Sequence, residues 1–346
     1  MNSRSTDRDP IDVCISVDVE FTINGALFHQ DRSPLGADWV WGVSDKRSEG
    51  LGFLLDCLDR YGLKGTFFTE VFNTYHFGDG PMRGVVQATL DRGHDVQLHL
   101  HPVWLYYKYR HWKDELSIRQ RPRDIFTDRD AEEIAAWLGD GASILERLSG
   151  SRPIAFRSGN LNAGRILYRG MYQAGITLAS NIGVGLSTPS EEELLLYAGV
   201  HRIDGITEVP VTTYRAPLPG NRLLLLTTTG SAFREMRAVL DAAHRLGTGP
   251  VVLLLHPHDF RIALHATPGA PPSFRPDRIR QSRFDRLCRY LSRHPQRFRV
   301  TTFAESAQRW SASDRVDNIL LPGSLPGLAT RLFENKLLPA MRRLPQ

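Results

Sequence analysis

His94-Asp95-Val96-Gln97-Leu98-His99-Leu100-His101-Pro102 reads as a strand that ends in a pair of imidazoles. Leu98 and Leu100 alternate with His99 and His101, so both histidines leave the backbone on one side. Two imidazoles projecting together just ahead of a strand-ending proline can grip one divalent metal. Such a site needs a carboxylate and acid–base groups from elsewhere in the chain. His94 falls on the opposite face from His99 and stands outside the pair.

Working outward, Ile11 to Val19 is a β-branched run with the look of a buried strand. Lys46 to Tyr61 has helical spacing through Leu51, Leu54, Leu55 and Leu58, closed by Gly62. Lys64 to Val71 is the next strand, and Val85 to Arg92 a helix ended by Gly93. With the histidine strand following, strand and helix alternate in the βαβ rhythm of a parallel α/β sheet or barrel. Farther on, Asp128 to Leu148 is predicted helical, with a break near Gly139 to Gly141, and Pro153 to Phe156 a short strand. Pro250 to Phe260 is the most strand-like stretch of all, and Arg280 to Arg293 the last long helix.

In such folds the C-terminal strand ends carry the chemistry. The first strand finishes Asp18-Val19-Glu20, two carboxylates on one face. They repel unless a cation or an arginine stands between them, or unless they form a solvated strand terminus. Arg157 follows the 153–156 strand and is suited to hold a carboxylate, if it is not a surface arginine. His256 ends the 250–255 run at Pro257, and His258 is a supporting candidate beside it. Residues 103–126 interleave aromatics (Trp104, Tyr106, Tyr107, Tyr109, Trp112) with Lys108, Arg110 and Lys113. They form either a wall that stacks on sugar rings or a rim packed on the barrel. Trp41, in the irregular 21–45 loop, and Asn160 complete the expected substrate-binding set.

Composition narrows the class. At 41% hydrophobic and 23% charged, the 346 residues can bury a large core and are not of a disordered type. The net charge of +5 comes without a basic block, zinc-finger spacing or RNP-like motif, so no nucleic-acid partner is expected. Cys14, Cys57 and Cys288 lie far apart with no C-x-x-C, which excludes a disulfide framework or thiolate zinc site. The start MNSRSTDRDP has no apolar signal core, and no run of 18 apolar residues exists, so a cytoplasmic protein is expected. Residues 311–346 change character: Leu328, Leu332, Phe333, Leu337, Leu338 and Met341 are flanked by Arg331, Lys336, Arg342 and Arg343. This amphipathic tail is expected to pack on the barrel, with peripheral contact at the inner face of the membrane as the alternative. The expected layout is one catalytic domain over 1–310, with an insertion at about 103–127, and then the tail. The oligomeric state is not legible.

Together these strand ends resemble the NodB-type polysaccharide deacetylases, the carbohydrate esterase family 4 fold, over residues 11 to 305. The likeness rests on Ser16 to Glu20, Gly62-Leu63-Lys64-Gly65-Thr66-Phe67-Phe68, Gly93-His94-Asp95, Phe156-Arg157-Ser158-Gly159-Asn160 and Leu255-His256-Pro257. It implies an α/β fold, a distorted (β/α)7-type barrel. It also implies metal-dependent hydrolysis of an N-acyl group on an amino sugar or glycan. In that scheme Glu20, His99 and His101 hold a divalent metal, zinc by preference. Asp18, oriented by Arg157, is the base, and His256 protonates the departing amine; Asp18 and Glu20 can exchange roles. Three departures stand out. The carboxylates are spaced Asp18-x-Glu20 rather than adjacent, and Val103 stands where a His-x-x-x-His pair has its second imidazole. Arg-Ser-Gly-Asn replaces the Arg-Pro-Pro-Tyr turn. They bear on substrate more than on metal. The alternatives are a deformylase or cyclic-amide hydrolase of the same fold, an amidohydrolase or PHP-like phosphoesterase, and a glycan-binding pseudoenzyme.

Overall fold

The computed structural model describes residues 8–29, 31–108, 124–218, 220, 222–264, 272–313 and 317–337. Tyr109, Arg110, Trp112 and Lys113 of the insertion, and Leu338, Met341, Arg342 and Arg343 of the tail, lie outside them. The sheet grows from β1, Ile11–Val19, all nine of whose residues are buried. A strand covered on both faces needs the near-continuous apolar run that β1 has. Parallel to it lie β2 (Thr66–Glu70), β3 (Asp95–Leu100), β4 (Ala155–Ser158) and β5 (Leu178–Ala179) on one side and β8 (Val251–Leu255) on the other. β6 (His201–Ile203) and β7 (Ile206–Glu208) form an antiparallel edge pair, and β9 (Phe298–Val300) adds to the start of β1. The order is β8-β1-β2-β3-β4-β5-β7-β6, a distorted (β/α)7-type barrel. Its parallel strands deliver Glu20, His101 and His256 to one end, each one residue past its strand.

Helices cover the sheet where the apolar spacing predicts them, with two corrections to helices and one to a strand boundary. Residues 46–50 are not helical: Val43–Ser44 and Arg47–Ser48 pair as a hairpin, and the helix runs Leu51–Arg60. Asp45 and Lys46 make that turn at φ of 48° and 63°, a left-handed pair that no helix accommodates. The helix Ala131–Ser149 is unbroken at its glycines. A β-carbon at Gly141 would stand 2.9 Å from a Leu100 methyl, so that glycine marks close helix–strand packing rather than a stop. Arg157 lies inside β4, which runs to Ser158, and its side chain is fully buried instead of facing solvent.

The described part of the tail packs on the barrel in part, for Leu325, Leu332 and Phe333 are exposed. Helix Leu325–Leu332 buries Leu328 and lies against helix Phe233–Leu246. Arg331 pairs with the buried Glu235 at 3.2 Å, and Glu334 with the buried Arg283 at 2.7 Å. No described helix is long and apolar enough to cross a membrane.

Candidate active site

His99 is fixed by its neighbour strand. Its Nδ1 stands 2.8 Å from the carbonyl oxygen of Arg157. A carbonyl only accepts, so Nδ1 carries the proton and Nε2 presents a lone pair. Nε2 points at Glu20 Oε1, 2.8 Å away. His101 repeats the arrangement: its Nδ1 bonds Asp124 Oδ2, and its Nε2 lies 3.3 Å from the same Glu20 oxygen. Two imidazole lone pairs and a carboxylate therefore converge, their ligand atoms within 4.8 Å of one another. Three acceptors meeting in a buried place need a cation among them. In the protein alone a proton supplies it. Burial opposes both charges, yet His101 and His99 hold Glu20 well below the carboxylate range. Likewise Glu20 and Asp124 hold His101 well above an ordinary imidazole. The donor set, two nitrogens and one oxygen, fits a divalent ion of the zinc kind with positions left open.

On one side of this trio stands Asp18, its side chain 5% exposed. Arg157 Nη1 donates to Asp18 Oδ1 at 2.7 Å, while Nε and Nη2 bind the Ser180 carbonyl and hydroxyl at 3.1 and 2.8 Å. The guanidinium also lies over the Phe68 ring at 4.2 Å. Three bonds and a stacked face leave Arg157 no freedom, so one oxygen of Asp18 is pinned and the other remains for chemistry. His256 stands beside Asp18: its Nε2 is 3.8 Å from Glu20 Oε1, and ligand atoms of Asp18, Glu20 and His256 lie within 4.8 Å of one another. Its backbone N–H donates to Asp259 Oδ2 at 2.9 Å, and that oxygen lies 3.7 Å from its Nδ1. Burial works to discharge this ring, but Asp259, then Glu20 and Asp18, raise it to about 9. His258 stacks on it with centroids 4.7 Å apart. Burial and the charge on His256 push His258 down to about 4, leaving it neutral at pH 7.

The expected substrate-binding residues separate. Trp104 is buried against Phe77 and Tyr107, so its ring offers no face to a sugar, and packing on the rim is the alternative it takes. Tyr106 and Trp41 are half-buried. It is Trp39, not Trp41, whose ring approaches His258, at 5.9 Å. Asn160 takes a left-handed conformation (φ 56°) and donates from Nδ2 to Asp124 Oδ2 at 2.9 Å. Sequence reasoning missed Asp124, Asp259 and Ser180. Asp259 had a signal, an acidic residue three after His256 that closes a turn on its N–H. Asp124, 23 residues from His101 along the chain, had none.

No known family profile and no curated protein matches the chain. Among solved structures, it is similar to a Mycobacterium smegmatis protein assigned as a polysaccharide deacetylase. The two share 17% identity over 92% of this chain and 96% of that one, with a TM-score of 0.53. A family 4 carbohydrate esterase from Streptomyces lividans in complex with acetate is 14% identical over 85% of this chain and 93% of the other (TM-score 0.40). A peptidoglycan deacetylase from Bacillus subtilis is 12% identical over 87% and 92% (TM-score 0.39). The latter two superpose too loosely to bear on the argument. The first, matched along nearly the whole of both chains, shows that this chain has the fold of the polysaccharide deacetylases.

Proposed function

We propose that the protein is a metal-dependent hydrolase that removes an N-acyl group, an acetyl by preference, from an amino sugar or a glycan. One observation carries the reading. Beside the Glu20–His99–His101 trio, and both near Glu20, stand a carboxylate held by a buried arginine and an imidazole held protonated by a buried carboxylate. Glu20, His99 and His101 would hold the ion, which when bound lowers the pKa of a water and polarises the acyl carbonyl. Asp18 uses the oxygen that Arg157 leaves unbound to take the proton of the attacking water. His256, cationic at neutral pH, gives its proton to the amine as the C–N bond breaks, since an amide nitrogen leaves poorly without one. Its pairing with Asp259 keeps the ring oriented toward the trio. The products are a free amine and a carboxylic acid.

The test is release of acetate or formate from N-acylated monosaccharides, nucleotide-sugars, lipid-linked sugars and short oligosaccharides. Turnover of an N-acetylated sugar by the wild type, lost in Asp18→Asn with metal content unchanged, is the expected result. Near-normal turnover by Asp18→Asn would remove the base assignment. Turnover of N-formyl or cyclic-amide substrates alone would move the protein to that related chemistry.

A further inference from the structure

We infer that Asp124 is a positioning residue for His101, and that Gly159 and Asn160 complete a cradle built for this one imidazole. The inference rests on the metal-site reading above and adds Asp124, which lies outside every motif quoted for the resemblance. His101 lies one residue past β3, where the strand no longer fixes a side chain, and its ring needs support from elsewhere. Two contacts supply it. Asp124 Oδ2 takes the Nδ1 proton, which fixes the tautomer and turns Nε2 toward Glu20. Asp124 is itself held: Oδ1 accepts the Val103 backbone N–H at 3.2 Å, and Asn160 Nδ2 donates to Oδ2 at 2.9 Å and lies 3.4 Å from the Asp124 carbonyl oxygen. Gly159 provides the floor, since a β-carbon there would stand 2.5 Å from His101 Nδ1 and 2.7 Å from its Cε1. The three nearest atoms such a β-carbon would meet all belong to the imidazole, so it is His101 that would have to shift.

The two departures in sequence are then one adaptation. With the second imidazole at 101 instead of 103, the ring occupies space that a side chain at 159 would fill. A glycine is required there, and the next residue, Asn160, turns back to brace the carboxylate. An imidazole that donates to a carboxylate is also a stronger metal ligand through its other nitrogen.

The experiment measures Zn2+ affinity of the metal-free protein by competition with a chromophoric chelator, for wild type, Asp124→Ala, Asp124→Asn and Gly159→Ala. Thermal midpoints of the metal-free forms and visible spectra of the Co2+ forms are recorded alongside. Wild type should bind one equivalent, and Asp124→Ala should bind about 10–100-fold more weakly, the usual loss for an outer partner of a metal ligand. Asp124→Asn, whose amide oxygen still accepts from Nδ1, should recover part of that loss. Gly159→Ala should alter the Co2+ spectrum by displacing His101. Asp124→Asn stands in if Asp124→Ala does not fold. Wild-type affinity and spectra in folded Asp124 variants would overturn the inference while leaving the metal site intact. A wild type that binds no metal would overturn the site reading and the inference with it.

Discussion

Arg157 serves two roles through two different atoms. Its guanidinium pins Asp18, and its carbonyl sets the tautomer of His99, so the proposed base and a proposed metal ligand share one residue of β4. The ion pair is buried, and removing the cation leaves the Asp18 carboxylate unpaired beside Glu20. Breaking such a pair typically costs about 3–5 kcal/mol. Arg157→Leu should therefore unfold at much lower urea, and Arg157→Lys should fail to rescue it, since an ammonium cannot match the planar three-point grip on Asp18 and Ser180. Urea titrations that superpose on wild type would contradict the role. His99→Ala should lose bound metal altogether, measured by elemental analysis of the purified protein. Asp18, Glu20, His99, His101 and His256 were legible because a strand's two-residue period and its ending are local properties. The reach of Asp124 and the floor at Gly159 were not, because they depend on loops meeting in space. Trp104 misled for a related reason: an aromatic-rich segment reads alike whether its rings face solvent or the core.

At the scale of elements, the buried strands and amphipathic helices appear where apolar periodicity places them, and the errors sit at turns, boundaries and a glycine. Gly141 reads as a helix breaker until Leu100 is seen against it. That helix carries its own start signal, for the Asp130 side chain accepts the Glu133 N–H at 2.7 Å. Asp130→Ala should cost about 1 kcal/mol of unfolding free energy, the usual value of such a cap. Metal content should be unchanged, because the capped end lies away from the trio. A loss of metal in this variant would mean that the helix is coupled to the site more tightly than its packing on β3 implies.

The whole molecule carries a pH dependence of its own, to which the buried carboxyl of Glu208 contributes. Glu208, at the end of β7, accepts from the N–H groups of Asn181 and Ile182 and from the Tyr168 hydroxyl at 3.0 to 3.2 Å. Burial nonetheless pushes its carboxyl up to about 7. In the unfolded chain a glutamate ionises near about 4.3. The stability it contributes is thus fully present below that value and is lost as the pH rises through 7. The loss is on the order of 3 kcal/mol. Urea unfolding at pH 5 and pH 8 should show a smaller difference for Glu208→Gln than for wild type, and equal differences would contradict the assignment. The most direct test of the central claim is a titration of metal-free protein with Zn2+ while acetate release from an N-acetylated amino sugar is followed. The account predicts that activity rises linearly and levels off at one equivalent, and that His99→Ala stays inactive throughout. Full acetate release without added metal, from protein shown by elemental analysis to contain none, would contradict it.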